Sequence, residues 1–168
     1  YIVQKILYKY NLIKGDFMKY NKVSKKSKLY VRLFIFLITI ALLILLGVLN
    51  IFFPVFSLYI QYFSFFIFIL YIVFISFLPD IVYSNYEYSI DDQKIVSIYG
   101  IVFINKKIVL LKNVYKIIIK MSPLGRILGL YSLVLATSAG TIKIDFLDEE
   151  KIDELFYSIL KDKEVGNV

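Results

Sequence analysis

Hydrophobic and polar positions fall into two regimes along this chain. From Leu33 to Pro79 there is no Asp, Glu, Lys or Arg, and from Asp80 onward apolar and polar residues change over in short runs. A helix needs about 20 apolar residues, at ~1.5 Å each, to cross a hydrocarbon core ~30 Å thick. The uncharged run is too long for one such span and suits two. The pattern predicts spans at 33–53 and 55–78, with Pro54 in the connection and Pro79 ending the second helix. Asn50, Ser57 and Gln61 bracket Pro54 and place the turn near an interface. A run this long argues against a buried helix pair in a soluble protein. It also argues against a cleavable signal peptide, whose apolar region is shorter and precedes a small-residue cleavage site.

Beyond Pro79 the period drops to two, the mark of half-buried strands. "YEYSI" (86–90) and "KIVSIYG" (94–100) flank a hairpin turn at Asp91, Asp92 and Gln93. "IVFI" and "IVLL" are read as strands around a turn at Asn105, Lys106 and Lys107. In "NVYKIIIKM" the alternation sets Tyr115, Ile117, Ile119 and Met121 on one face and Lys116, Ile118 and Lys120 on the other. "YSLVLAT" and "TIKIDF" flank a turn at Ser138, Ala139 and Gly140, with Ile142, Ile144 and Phe146 inward. A terminal helix follows, for which Asp148 is the expected N-cap and Glu149 and Glu150 suit the positive end of the dipole. Ile152, Leu155, Phe156, Ile159 and Leu160 form one apolar stripe that needs a sheet to cover. Six or seven antiparallel strands and one amphipathic helix predict a curved sheet or small barrel closed by the helix.

Composition agrees with the membrane reading: 60 % of the 168 residues are hydrophobic, against roughly 45–50 % in an ordinary soluble domain. Cys and His are absent. That removes disulfides, thiolate nucleophiles, zinc sites and imidazole acid–base chemistry.

The net charge of +7 is unevenly spread. Lys19, Lys22, Lys25, Lys26, Lys28 and Arg32 precede the first span and the connection between spans carries no charge. By the positive-inside rule the N-terminus is then cytoplasmic, and two spans return residues 80–168 to the same side. Region 1–32 is thus read as a basic cytoplasmic N-terminus. Within it, the first Met is Met18, and Lys14–Phe17 can be encoded AAA GGA GAT TTT, which holds a purine-rich ribosome-binding core. This makes a bacterial start at Met18 the expectation, so that residues 1–17 are not native. A competing reading is an amphipathic surface helix with Ile2, Ile6, Lys5 and Lys9.

In this order the elements resemble a known family, the membrane-anchored bacterial pleckstrin-homology (PH) domain proteins of the YdbS type. The resemblance rests on the basic N-terminus, the apolar hairpin, and the succession "IVLLKNVYKIIIKMSPLGRILGL" then "SLVLATSAG", a strand, a Leu-Gly-Leu turn and a strand ending in Thr-x-Ala-Gly. One departure is Lys120-Met121, where relatives often carry a Gln. The resemblance implies a two-helix transmembrane hairpin followed by a mainly-β PH-like domain, two near-orthogonal sheets capped by a C-terminal helix. It implies no enzyme and no cofactor. Some relatives protect cells against membrane-active bacteriocins, so the resemblance also implies an immunity or envelope-protection role.

Candidate chemistry is sparse. Gly125–Gly129 lacks the G-K-[ST] of a phosphate loop and leads into a strand, and its G-x-x-x-G lies outside the apolar spans and contains Arg126. Turn geometry accounts for it better. Asp91-Asp92 and Asp148-Glu149-Glu150 read as a turn and a helix start, not as catalytic carboxylates. Between Gln93 and Ile144 every charged residue is basic, although residues 80–168 together hold 11 basic and 12 acidic residues. Lys106, Lys107, Lys112, Lys116, Lys120 and Arg126 are therefore the candidate binding face, against the plainer reading of solvated strand lysines. The expected partners are the bilayer, a membrane protein or second copy, and an anionic lipid surface, where each basic residue contributes ~1 kcal/mol. Nucleic acid and metal are not expected, nor is specific inositol-lipid recognition, since the first hairpin turn carries Asp91 and Asp92.

Overall fold

A computed structural model describes residues 20–91, 94–138 and 140–165. The N-terminal readings for 1–17 and Met18, and the turn residues Asp92, Gln93 and Ala139, lie outside the described residues. The chain divides into two compact units, one of residues 25–83 and the other of residues 84–168 with the segment up to Ser24.

The first unit holds a pair of helices, α1 (Lys26–Phe52) and α2 (Ser57–Asn85), joined through a 3-10 turn at Pro54–Phe56; the last two residues of α2, Ser84 and Asn85, fall to the second unit. Both are long and apolar enough to cross a membrane. Large apolar side chains lie open along both helices, whereas Val31, Leu46, Ile67 and Val82 are buried. Three hydroxyls within the apolar stretch are satisfied locally: Thr39, Ser64 and Ser76 donate to the carbonyls of Ile35, Ile60 and Ile72. Such back-bonding is how a hydroxyl avoids facing hydrocarbon unpaired. Beyond the apolar stretch, Lys28 Nζ meets Asp80 Oδ1 at 2.6 Å and stands 4.9 Å from the Tyr83 ring centre.

These helices are longer than the predicted spans 33–53 and 55–78, and Pro79 does not end the second one. It sits inside α2 and is buried. Proline removes only its own N–H from the ladder, and one missing bond is tolerated in a helix that continues on both sides.

The second unit is built from seven strands. β1 (Asn21–Lys22), β2 (Glu87–Asp91), β3 (Lys94–Tyr99) and β4 (Asn105–Leu110) form a four-stranded antiparallel sheet in sequence order. β5 (Val114–Lys120), β6 (Tyr131–Thr137) and β7 (Gly140–Leu147) form a three-stranded one. A short helix α3 (Pro123–Leu128) links β5 to β6, and α4 (Glu149–Val165) ends the chain. β1 comes from the basic N-terminal region, where no strand is predicted. It pairs Asn21 with Tyr88 and Lys22 with Glu87, and Ser24 N–H donates to the Phe146 carbonyl at 2.8 Å.

The core is aliphatic: Ile95, Ile98, Leu133, Leu135, Ile142, Leu147 and Ile159 are all fully buried. The sheets meet where Ser97 Oγ donates to the Lys143 carbonyl at 2.9 Å and Lys107 Nζ to the Thr141 carbonyl at 3.1 Å. α4 lies on β6 and on the 3-10 turn Leu111–Asn113, with Ile152, Leu155 and Ile159 of the predicted stripe buried and Phe156 half-buried, while the Leu160 side chain lies outside the described residues. Asp148 occupies its cap position, its carbonyl accepting from Ile152 N–H at 3.0 Å and its carboxylate 4.0 Å from Lys151 Nζ.

Three strand assignments change. "IVFI" is a loop between β3 and β4, and Asn105–Lys107, read as a turn, begin β4. The cause is Gly100, at φ +135°, which turns the chain immediately after Tyr99. Tyr115, expected on one face with Ile117, Ile119 and Met121, is 69 % exposed beside a register shift between Val114 and Lys116, which adds a residue at that point and breaks the alternation. A second shift opposite Tyr131–Leu133, with Phe146 at φ 61°, hands the inward place of Phe146 to Leu147. The Phe146 ring packs on Tyr86 instead, 5.5 Å between centres.

Burial, then the carboxylates of Glu154 and Asp148, push the Tyr88 phenol up from 10.0 to about 12. The folded chain thus holds this proton more tightly than the unfolded chain. The resulting stability is complete below pH 10 and is lost as pH rises toward 12. Denaturation of the detergent-solubilised protein across that window is expected to show the loss, and Tyr88→Phe to flatten it.

Candidate functional site

The six basic candidates do not converge. Lys106 and Lys107 stand on β4, opposite Ile98 and Ser97. Lys107 is committed to the junction of the sheets through its bond to Thr141, and its ammonium lies 5.8 Å from the Tyr99 ring centre. Lys106 is half-buried. Lys112 is exposed on the turn between the sheets. Lys116 and Lys120 are exposed on β5 opposite Ala136 and Ser132, and Arg126 is exposed on α3.

Residues directly opposite one another share a face of a sheet. Lys116, Ile118 and Lys120 therefore lie with Ala136, Val134 and Ser132, and Lys143, opposite Val134, completes the outer face of the three-stranded sheet. Its charge is not all positive. Lys143 Nζ is 2.8 Å from Asp145 Oδ1, and Ser132 Oγ donates to the same carboxylate. Among the described residues, what remains unpaired in charge on this face is the β5 edge, where Lys116 and Lys120 are four residues, ~13 Å, apart. Two lysines at that distance suit an extended anionic surface better than a small ligand.

The segment beside that edge, "SPLGRILG", is a short capped helix and not the turn read from sequence. Ser122 Oγ accepts from Gly125 N–H at 3.0 Å, Pro123 fills the first position where no donor is needed, and Gly129 ends the helix in the left-handed conformation at φ 65°. The caps were legible as Ser-Pro followed by Gly. Gly125 serves close packing: a Cβ there would lie 2.6 Å from the Leu130 carbonyl oxygen, which is backbone and cannot swing aside. Gly125→Ala is expected to lower stability by about 1–3 kcal/mol, read as a drop in Tm, without changing the charge of the β5 edge.

The stretch missed as a surface feature is Ile101–Phe103. Val102 and Phe103 are each 82 % exposed. Gly100 is the sequence signal, since its Cβ position would fall 1.9 Å from the Phe103 carbonyl oxygen and only glycine allows the closure. No group of three or more residues of metal-binding type occurs among the described residues.

Comparison with known proteins gives a family model described as "Bacterial PH domain" that matches residues 29–163. Neither the search of curated proteins nor that of solved structures found a match.

Proposed function

The chain belongs to the bacterial PH domain family, and from that premise we propose that it is a non-catalytic integral membrane protein whose PH-like domain works by association at the cytoplasmic face. PH domains are generally interaction modules. The observation that carries the proposal is the direct succession of two lipid-length helices, apolar on their open faces, and a domain of this family. The basic flank of α1 and the uncharged connection support a cytoplasmic placement of both termini. The process served is protection of the envelope against membrane-active bacteriocins, with a membrane protein or second copy as partner. Deleting the gene is expected to raise sensitivity to at least one such peptide, restored by the full chain. Unchanged sensitivity to every peptide tested removes the protective role.

A second reading is favoured by Lys116 and Lys120 on the β5 edge, namely docking to anionic lipid or to an acidic subunit surface. Full-length protein carrying Lys116→Glu and Lys120→Glu is then expected to lose partners co-purified from native membranes, in a salt-sensitive manner. The whole chain is needed for this, because residues 80–168 alone lack β1.

A further inference from the structure

We propose that the loop Ile101–Phe103 is a second, non-spanning membrane contact, which dips Val102 and Phe103 into the boundary between headgroups and acyl chains. It rests on the anchored reading above.

Three observations carry it. First, the loop neighbours the point at which the chain leaves α2: Asn85, the last residue of that helix and part of the same compact unit as the loop, donates its side-chain amide to the Ile101 carbonyl at 3.4 Å. Second, the loop is built to present its side chains outward. The φ of +135° at Gly100 folds the backbone so that the Phe103 carbonyl packs against it, and Asn105 Nδ2 donates to the same carbonyl at 3.3 Å. The backbone of Phe103 is thereby fixed while its ring and the Val102 side chain are left open. Third, the flanks suit an anionic leaflet, since no Asp or Glu occurs between Lys94 and Lys143. An aromatic side chain with aliphatic neighbours and nearby lysines is the composition that settles in a membrane interface.

The chain contains no Trp, so a single introduced indole reports its own surroundings. Full-length protein is reconstituted into vesicles of phosphatidylcholine and phosphatidylglycerol, with Trp introduced as Phe103→Trp, as Phe66→Trp within α2, or as Tyr157→Trp on the exposed side of α4. The expected result is a blue-shifted Phe103→Trp emission quenched by lipids brominated on their acyl chains and shielded from aqueous iodide, as for Phe66→Trp. Tyr157→Trp should behave in the opposite way. Phe66→Trp quenched by bromolipid with Phe103→Trp quenched by iodide overturns the loop contact and leaves the anchor standing. Phe103→Trp shielded from both quenchers overturns it in favour of a protein contact. Phe66→Trp open to iodide removes the anchor and the loop contact together.

Discussion

Leu133→Ala is expected to lower the stability of the PH-like domain by about 2–5 kcal/mol, the cost of lost burial plus the cavity left behind. Leu133 has no exposed surface and lies on the central strand of its sheet, opposite Ile119 on one side and Ile144 on the other. Its neighbours are held by ladders on both sides and cannot close the space. Against a typical stability of about 5–15 kcal/mol, the loss is large enough to expose the domain to proteolysis. Limited proteolysis and thermal denaturation of the solubilised protein read it directly. Ile127→Ala is the control: Ile127 is 77 % exposed, and its truncation is expected to stay within about 0.5 kcal/mol.

The second large effect lies in the helices. Phe66→Arg together with Val73→Arg is expected to deplete the protein from the carbonate-resistant membrane fraction. Each guanidinium near the middle of a spanning helix costs about 2.5–3.5 kcal/mol on an insertion scale, and each substitution also removes a favourable apolar side chain. Both positions are open, at 54 % and 45 %, so neither arginine has a protein cavity to hide in. Phe66→Leu with Val73→Leu keeps the apolar character and should keep the protein in that fraction. Immunoblots of washed membranes distinguish the two.

The parts of the molecule legible in the sequence are those where a single physical effect outweighs the rest. An uncharged run from Leu33 to Pro79 is long enough for two lipid-length helices, which the structure has, and the stripe Ile152, Leu155 and Ile159 marks the buried side of α4. The parts that escaped are decided by single backbone positions. "IVFI" has the composition of a strand, yet Gly100 turns the chain before it and leaves Val102 and Phe103 outside. Tyr115 and Phe146 obey the alternation in sequence and break it in space, because each sits where a ladder gains an extra residue. β1 is two residues long, too short for any periodicity, and is defined by its pairing with Glu87 and Tyr88 of β2. The candidate face is a tertiary matter in the same way: six basic residues close in sequence are distributed over both sheets, the turn between them and α3. Lys116 and Lys120 share one face of the β5 edge, whereas Lys106 and Lys107, consecutive on β4, fall on opposite faces.

Every role proposed for the domain depends on which side of the membrane it occupies. The chain has no Cys, so Val55→Cys in the turn between α1 and α2 and Lys112→Cys in the domain each give one thiol, both on exposed residues. In intact bacterial cells an impermeant maleimide is expected to label the Val55→Cys protein and to reach Lys112→Cys only after permeabilisation. Labelling of Lys112→Cys in intact cells, with Val55→Cys protected, would contradict the cytoplasmic placement.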